Sequence, residues 1–352
     1  MKSLMKGNEA LAEAAIQAGC RHYFGYPITP QSELTAYLAK QLPKVGGVYL
    51  QAESEVASIN MVLGAAAAGA RVMTSSSSPG ISLMSEGLSY LAGCDLPAVL
   101  VNIQRGGPGL GGIQPSQADY FQATRSSGHG DFHMLVLAPN SVQEMVDCTY
   151  TAFDLADKYR MTAMILGDGI LGQMMEPVEM TPPVAVDLPP KDWAVTGTAN
   201  HAGRNTVTSL YLQPEELERT NRDRFDKYKV IQNTEVRSEA YLLDDADIVV
   251  VAYGATSRIA KNAILAAREQ GVKAGMLRPV TLWPFPAAAL KQAAQTAKAF
   301  VAVEMSMGQM IDDVKLAVEC SRPVSLCGHT GGVVPSRDEI VDAIMTANKE
   351  VK

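Results

Sequence analysis

Apolar positions in the first half of the chain recur alternately with helical and strand periods. Leu11, Ala14, Ala15 and Ala18 share one helical face that stops at Gly19, with Asn8 placed as its N-cap. Arg21 to Tyr26 reads as a short strand that breaks at Pro27-Ile28-Thr29-Pro30. Thr29 as N-cap and Pro30 at the first helical position then open a helix whose buried face is Leu34, Tyr37, Leu38 and Leu42. A strand over 48–51 passes through Glu53-Ser54-Glu55 into a helix rich in small residues from Gly64 to Ala70. A third strand, 71–75, leads into the serine run, where Ser78-Pro79 opens a helix over 80–92. The strongly apolar PAVLVNIQ is a fourth strand ending at Arg105; a fifth over 133–138, a helix over 141–159 and a sixth strand over 161–166 follow. Strands alternating with helices in this way predict a parallel sheet covered on both faces.

The pattern fails from Glu176 to about Glu239. Pro177, Pro182, Pro183, Pro189 and Pro190 punctuate an extended stretch, and a charged helix over 214–229 follows. DIVVVAY, starting at Asp247, begins a second unit with strands near 247–253, 273–277, 298–303 and 323–327. The expected organisation is an α/β domain over 1–190, an extended linker with a charged helix over 191–240, and a smaller α/β domain over 241–352. A length of 352 residues suits that division, at about 150 residues per domain.

Composition narrows the class. A formal charge of −7 and the absence of any Lys/Arg cluster argue against nucleic-acid binding. No apolar run is long enough to span a bilayer, and Glu9 and Glu13 interrupt any signal-like start. The five cysteines (Cys20, Cys94, Cys148, Cys320, Cys327) are scattered without a CxxC, which suits a reducing cytoplasm and disfavours an internal zinc or iron–sulfur site.

Ligands of such sheets bind at the carboxyl ends of the strands. Read in order, those ends carry Thr29, Glu55, the Ser75–Ser78 run and Arg105. An arginine there can hold a carboxylate through two N–H groups. A buried glutamate can donate a proton to, or share one with, a heterocycle nitrogen. Each residue also has a plainer reading. Glu55 can serve the helix dipole, Arg105 can be a surface residue, Thr29-Pro30 can be capping alone, and the serines can form a polar loop.

Three apparent motifs are set aside. Gly107–Gly112 matches G-x-G-x-x-G, but a proline holds its second position and IQPSQ does not continue as the packed helix a dinucleotide site needs. Gly167-Asp168-Gly169 with Asn200 resembles a thiamine-diphosphate magnesium motif, but the proline-rich stretch between them cannot form the intervening helix. His22, His129, His133, His201 and His329 show no paired spacing for a metal site, so no metal ligand is assigned. His129, in SSGHGD, remains a loop residue that could line the site.

FGYPITPQSE, AESEVAS, GAAAAGARVMTSSSSPGISLMSEGLSYLAG and NIQRGGPG together resemble the alpha subunit of the 2-oxoacid:ferredoxin oxidoreductases. AYGATSRIAKNAI, EMSMGQM and GHTGGVVPSRDEI resemble the second domain of that subunit, so the likeness covers essentially the whole chain. It implies a thiamine-diphosphate pyrimidine-binding domain followed by a transketolase C-terminal-like domain. It implies Glu55 on the aminopyrimidine ring, Pro27, Ile28 and Ser78 as further cofactor contacts, and Thr29 and Arg105 on the substrate carboxylate. Magnesium and the diphosphate site are implied on a beta subunit, with a gamma subunit and a ferredoxin-like iron–sulfur subunit completing the complex.

The implied reaction is oxidative decarboxylation of a 2-oxoacid to an acyl-CoA and carbon dioxide, with electrons passing to ferredoxin. The loop Gly109-Leu110-Gly111-Gly112-Ile113 offers no side-chain donor, which favours an apolar substrate tail. The pattern looks most like the type using 3-methyl-2-oxobutanoate; 2-oxoglutarate or pyruvate is the alternative within the class. Outside it stand a nicotinamide enzyme using the glycine loop and a non-catalytic docking subunit.

Overall fold

The computed structural model describes residues 2–125, 127–181, 186–198 and 203–351. Pro182, Pro183, Asn200 and His201, named above, lie outside these. The first unit opens with β1 (Lys2–Lys6), α1 (Gly7–Gln17), β2 (His22–Gly25), α2 (Ser32–Gln41), β3 (Val48–Gln51) and α3 (Glu55–Ala67). It continues through β4 (Val72–Ser76), α4 (Pro79–Gly93), β5 (Ala98–Gln104), α5 (Tyr120–Thr124) and β6 (Leu135–Leu137). α6 (Val142–Tyr159), β7 (Thr162–Asp168), α7 (Gly169–Gln173) and β8 (Met175–Glu179) complete it, and α8 (Pro214–Thr234) crosses the connector. The second unit holds β9 (Ser238–Tyr241), β10 (Ile248–Ala252), α9 (Gly254–Glu269), β11 (Ala274–Pro279), β12 (Thr281–Trp283) and α10 (Ala287–Ala293). β13 (Ala299–Glu304), α11 (Met310–Ala317), β14 (Val324–Gly328) and α12 (Arg337–Glu350) end the chain's elements.

The larger sheet has the order β12-β6-β7-β5-β4-β2-β3. It is parallel except for β12, which runs antiparallel to β6. Every residue of β4, β5 and β7 is buried, as expected of central strands with helices on both faces. The smaller sheet, β14-β13-β10-β11-β9, is parallel apart from β9. Both α/β units are therefore as the sequence indicates, each with one antiparallel edge strand.

Several local expectations are corrected. Asn8 does not cap α1 but sits in its first turn, where its side chain donates to Pro30 O at 2.8 Å and Glu33 Oε2 at 3.1 Å. Thr29 does not cap α2, which starts at Ser32 behind a turn closed by Gln31 N–H on Ile28 O at 3.2 Å. The carbonyl of Thr29 is claimed by Arg105 instead. Pro79 does open α4, but Ser78 makes no cap bond, because its hydroxyl is used elsewhere. The fifth strand covers only Leu135–Leu137. The proline-punctuated stretch begins with a strand the pattern did not show: β8 pairs antiparallel with β1. β12 leaves the second unit to edge the first sheet, and its Trp283 stacks on His133 with centroids 4.8 Å apart.

The segment after Arg105 stitches the units together. Buried Gln117 accepts from Met305 N–H at 2.9 Å and donates through Nε2 to Tyr253 O at 2.8 Å; its own N–H bonds Met305 O at 2.9 Å. Gly254, at φ +56°, leaves room for that amide, since a Cβ would lie 3.0 Å from Gln117 Nε2. Arg278, 3% exposed, adds a bidentate pair with Glu144 and a bond to Glu239 at 2.7 Å. Asp168 ends β7 and is the N-cap of α7. It caps α7 through Ile170 and Leu171 N–H groups and accepts weakly from Ala255 N–H of the second unit at 3.4 Å.

Burial raises the Asp168 carboxyl from 3.8 to about 6, against the pull of its backbone donors. An acid raised in the folded state contributes stability that is fully present below 3.8 and lost as pH rises through about 6. Asp168→Asn keeps an acceptor for the cap and removes this titration. Urea midpoints measured from pH 4 to 7 are expected to fall less steeply across that window in the variant than in the wild type. An identical slope would remove Asp168 as its source.

Candidate active site

The larger sheet reverses direction at β2: the chain steps outward to β3 and then returns to the other side of β2 as β4. The carboxyl ends flanking such a reversal form a crevice that side chains from successive loops can reach. The loop after β2 brings Pro27 and Thr29, both exposed, and half-buried Ile28. The end of β3 brings Glu55, the end of β4 brings Ser76 to Ser78, and the end of β5 brings Arg105.

Arg105 is the hub. It is 7% exposed, and its guanidinium donates to Thr29 O at 2.9 Å and Leu110 O at 3.2 Å, while Nε is buried without a partner. Its backbone N–H bonds Ser78 Oγ at 3.0 Å, and the residue bridges to Pro115. Thr29, Ser78 and Arg105 are thus joined directly. The loop beyond Arg105 folds back through Gly112 N–H on Gly106 O at 2.9 Å. No helix follows it until α5, and it displays Leu110 and Ile113 at 84% and 58% exposure.

Glu55 enters from the other side. Ser54 caps α3 through Ala57 N–H at 3.2 Å and delivers Glu55 as its first residue, 5% exposed. The carboxylate lies against the first turn of α4, where a Cβ on Gly80 would be 2.5 Å from Oε1. Among the described residues it has no hydrogen-bond partner. Pro27 and Ile28 form the turn that closes on Gln31, and Gln31 accepts from Ser75 Oγ, itself 2.7 Å from Tyr23 OH.

The sequence reading missed Asp119 and Asn102. Asp119 Oδ2 lies 2.6 Å from Ser78 Oγ and accepts from Asn102 Nδ2 at 2.9 Å. Burial pushes the Asp119 carboxyl above its usual range, and the Ser78 and Asn102 donors pull it back. Asn102 had a signal: an amide amid the apolar residues of β5, like Gln104 two positions on, must find partners once buried. Asp119 had none. His129 is not at the site. It bonds through its N–H to Ser89 Oγ at 2.9 Å and packs on Tyr90, near the far end of α4. A cavity of about 570 Å³ lies beside Thr29, walled by Glu33, Ile113, Gln114, Ile170 and Gln173.

A sheet reversal holding a buried carboxylate, a buried arginine and, in Ser76 and Ser77, hydroxyls without partners among the described residues defines the class: an α/β protein with the kind of crevice in which such sheets bind small ligands. Known proteins make this specific. A family model described as pyruvate flavodoxin/ferredoxin oxidoreductase, thiamine diP-bdg, matches residues 13–233, and one for pyruvate:ferredoxin oxidoreductase core domain II matches residues 246–340. The chain belongs to this family of 2-oxoacid oxidoreductase subunits. It is 51% identical over 329 residues to ketoisovalerate oxidoreductase subunit VorB of Methanothermobacter marburgensis, covering 94% of this chain and 93% of that one. It is 36% identical over 376 residues to 2-oxoglutarate synthase subunit KorA of Methanothermobacter thermautotrophicus, covering 98% of each. Among solved structures, 2-oxoglutarate:ferredoxin oxidoreductase from Magnetococcus marinus, with 2-oxoglutarate, coenzyme A and succinyl-CoA bound, superposes with a TM-score of 0.87 at 28% identity. That match covers 98% of this chain and 65% of the longer one. A split gene transketolase, 14% identical with a TM-score of 0.63, shares the fold alone.

Gly111 tests the loop that Arg105 anchors. It sits at φ +58°, and a Cβ would be driven into Gly106 O. Gly111→Ala is expected to cost about 1–2 kcal/mol in urea unfolding and to speed chymotryptic cleavage after Leu110. Wild-type cleavage would show that the loop is not held by this turn.

Proposed function

We propose that this chain is the substrate- and pyrimidine-binding subunit of an enzyme that oxidatively decarboxylates 3-methyl-2-oxobutanoate and related branched-chain 2-oxoacids. The products are the acyl-CoA and carbon dioxide, with the electrons passed to ferredoxin. The observation that carries the reading is the pair of unmatched groups at the sheet reversal: among the described residues, the Arg105 Nε is without an acceptor and the Glu55 carboxylate without a donor. These residues fit an aminopyrimidine on one side and a 2-oxoacid carboxylate on the other.

When bound, thiamine diphosphate supplies the thiazolium chemistry that decarboxylation of a 2-oxoacid requires. Glu55 shares a proton with a ring nitrogen, a role suited to a carboxylate in a buried seat. Arg105 and Thr29 hold the substrate carboxylate, with Arg105 kept in place by the Thr29 and Leu110 carbonyls. Ser78, oriented by Asp119, contacts the cofactor, and Pro27 and Ile28 form the adjoining wall. Leu110 and Ile113 meet the substrate tail. A second carboxylate, as in 2-oxoglutarate, would find no side-chain donor in that loop, and an unmatched charge is costly to bury.

Partner subunits complete the reading. A beta subunit supplies the diphosphate and magnesium site, and a gamma subunit and a ferredoxin-like subunit complete the assembly. The iron–sulfur clusters belong to partners because the five cysteines here are separate free thiols. Exposed Val48, Leu50 and Val56 beside the Glu55 edge are apolar surface for such a partner. Free thiols and low-potential electron transfer suit a cytoplasmic setting. Among the described residues, no helix is long and apolar enough to cross a membrane.

The test is dye reduction by the assembled complex with 3-methyl-2-oxobutanoate, 2-oxoglutarate and pyruvate, each with and without coenzyme A. The branched acid is expected to lead 2-oxoglutarate by about tenfold or more in kcat/KM. Preference for 2-oxoglutarate would keep the class and overturn the loop argument; no activity with any of them would favour a docking role. Two variants probe the residue roles. Glu55→Gln is expected to lower kcat about 100-fold or more, and turnover within a few-fold of wild type would remove Glu55 from the chemistry. Arg105→Lys is expected to raise KM for the 2-oxoacid about tenfold, since an ammonium cannot reproduce the planar fork.

A further inference from the structure

Ser76 ends β4 fully buried, and among the described residues its Oγ has no hydrogen-bond partner. Glu55, nearly as buried, also lacks one among them. A Cβ built on Gly80 would fall 2.0 Å from Ser76 Oγ and 2.5 Å from Glu55 Oε1. Both oxygens therefore crowd one small volume over the bare Cα of Gly80, and their separation cannot exceed those two lengths laid end to end. One is a hydroxyl in need of an acceptor, and the other belongs to a carboxylate in need of a donor.

Gly80 itself has no conformational reason to be glycine. It lies in the first turn of α4, with a backbone outside the left-handed region. Alanine favours a helix over glycine, so what the position gains is space.

We propose that Ser76 is a positioning residue for Glu55, donating its hydroxyl to Oε1, and that Gly80 is left bare to seat the two oxygens together. The inference rests on the assignment of Glu55 to the aminopyrimidine ring. Rotation of the hydroxyl about the serine Cβ–Oγ bond aims the proton. With Oε1 held from below by Ser76, the carboxylate plane is fixed and Oε2 is left for the ring nitrogen.

The measurement is exchange of the thiazolium C2 proton of bound thiamine diphosphate with solvent deuterium, followed by NMR after acid quench of the assembled complex, alongside the cofactor Kd. Ser76→Ala is expected to slow exchange about tenfold while Kd changes less than about twofold. Ser76→Thr restores the hydroxyl, and Ser76→Val has the same shape without it. Exchange should recover in the first and stay slow in the second. Equal rates in the two would overturn the proposal, since shape alone would then explain the effect. Gly80→Ala is expected to slow exchange at least as much as Ser76→Ala, and wild-type exchange there would remove the seat. Glu55→Gln separates this inference from its foundation. If Glu55→Gln exchanges normally, the reading of Glu55 fails; if it is silent while all Ser76 variants match wild type, only the role of Ser76 fails.

Discussion

The candidate site depends on how Arg105 is held. A guanidinium placed at the end of a fully buried strand needs partners that do not neutralise it, and backbone carbonyls serve that purpose. Thr29 O and Leu110 O accept from its terminal nitrogens without cancelling the charge. The same residue fixes Ser78 through its own N–H, so one side chain and one peptide bind the loops after β2, β4 and β5. An acidic partner would have formed an ion pair and cancelled the charge. The architecture keeps the charge available by denying it a carboxylate.

The second unit reaches this site through the chain rather than through its own chemistry. The segment after Arg105 runs from the glycine loop to Gln117, whose amide is shared between Tyr253 and Met305 at the ends of β10 and β13. Tyr120 and Arg125 then bind Asp313. Asp119, which orients Ser78, lies within this docked stretch. The position of the Ser78 hydroxyl is therefore set partly by the smaller sheet, which ties the second unit to the candidate site.

Periodicity made most of the fold legible. Apolar runs located the central strands, and glycine and proline marked most boundaries. It failed where a residue had two uses. Asn8, Thr29 and Ser78 all sit where capping chemistry would be expected, yet Asn8 and Ser78 spend their side chains on long-range contacts, and α2 starts at Ser32, beyond the reach of Thr29. β12 was illegible for another reason: three residues carry no periodic signal, and its pairing with β6 is fixed by Trp283 stacking on His133 far away in sequence. Glu55 and Arg105 could be picked out because strand ends are the functional edge of an α/β sheet. Asp119 could not, since nothing local distinguishes it from an ordinary loop acid.

Among the described residues, buried polar atoms without partners occur in several places, Asn8, His22, Thr162 and Arg224 among them, and one group of them lies at the candidate site. Thr74, Ser76, Ser77 and Arg105 all lie in or just beyond β4 and β5, on the side where the sheet reverses. Each such group costs about 1–3 kcal/mol relative to a satisfied one, a burden the fold carries only if something offsets it. The packed strands and the Gln117 and Arg278 contacts supply stability elsewhere in the same molecule. A ligand with complementary donors and acceptors would satisfy several of these atoms at once, and its binding would be favoured by the desolvation already incurred in folding. Such a ligand would be selected by the same atoms that weaken the free chain.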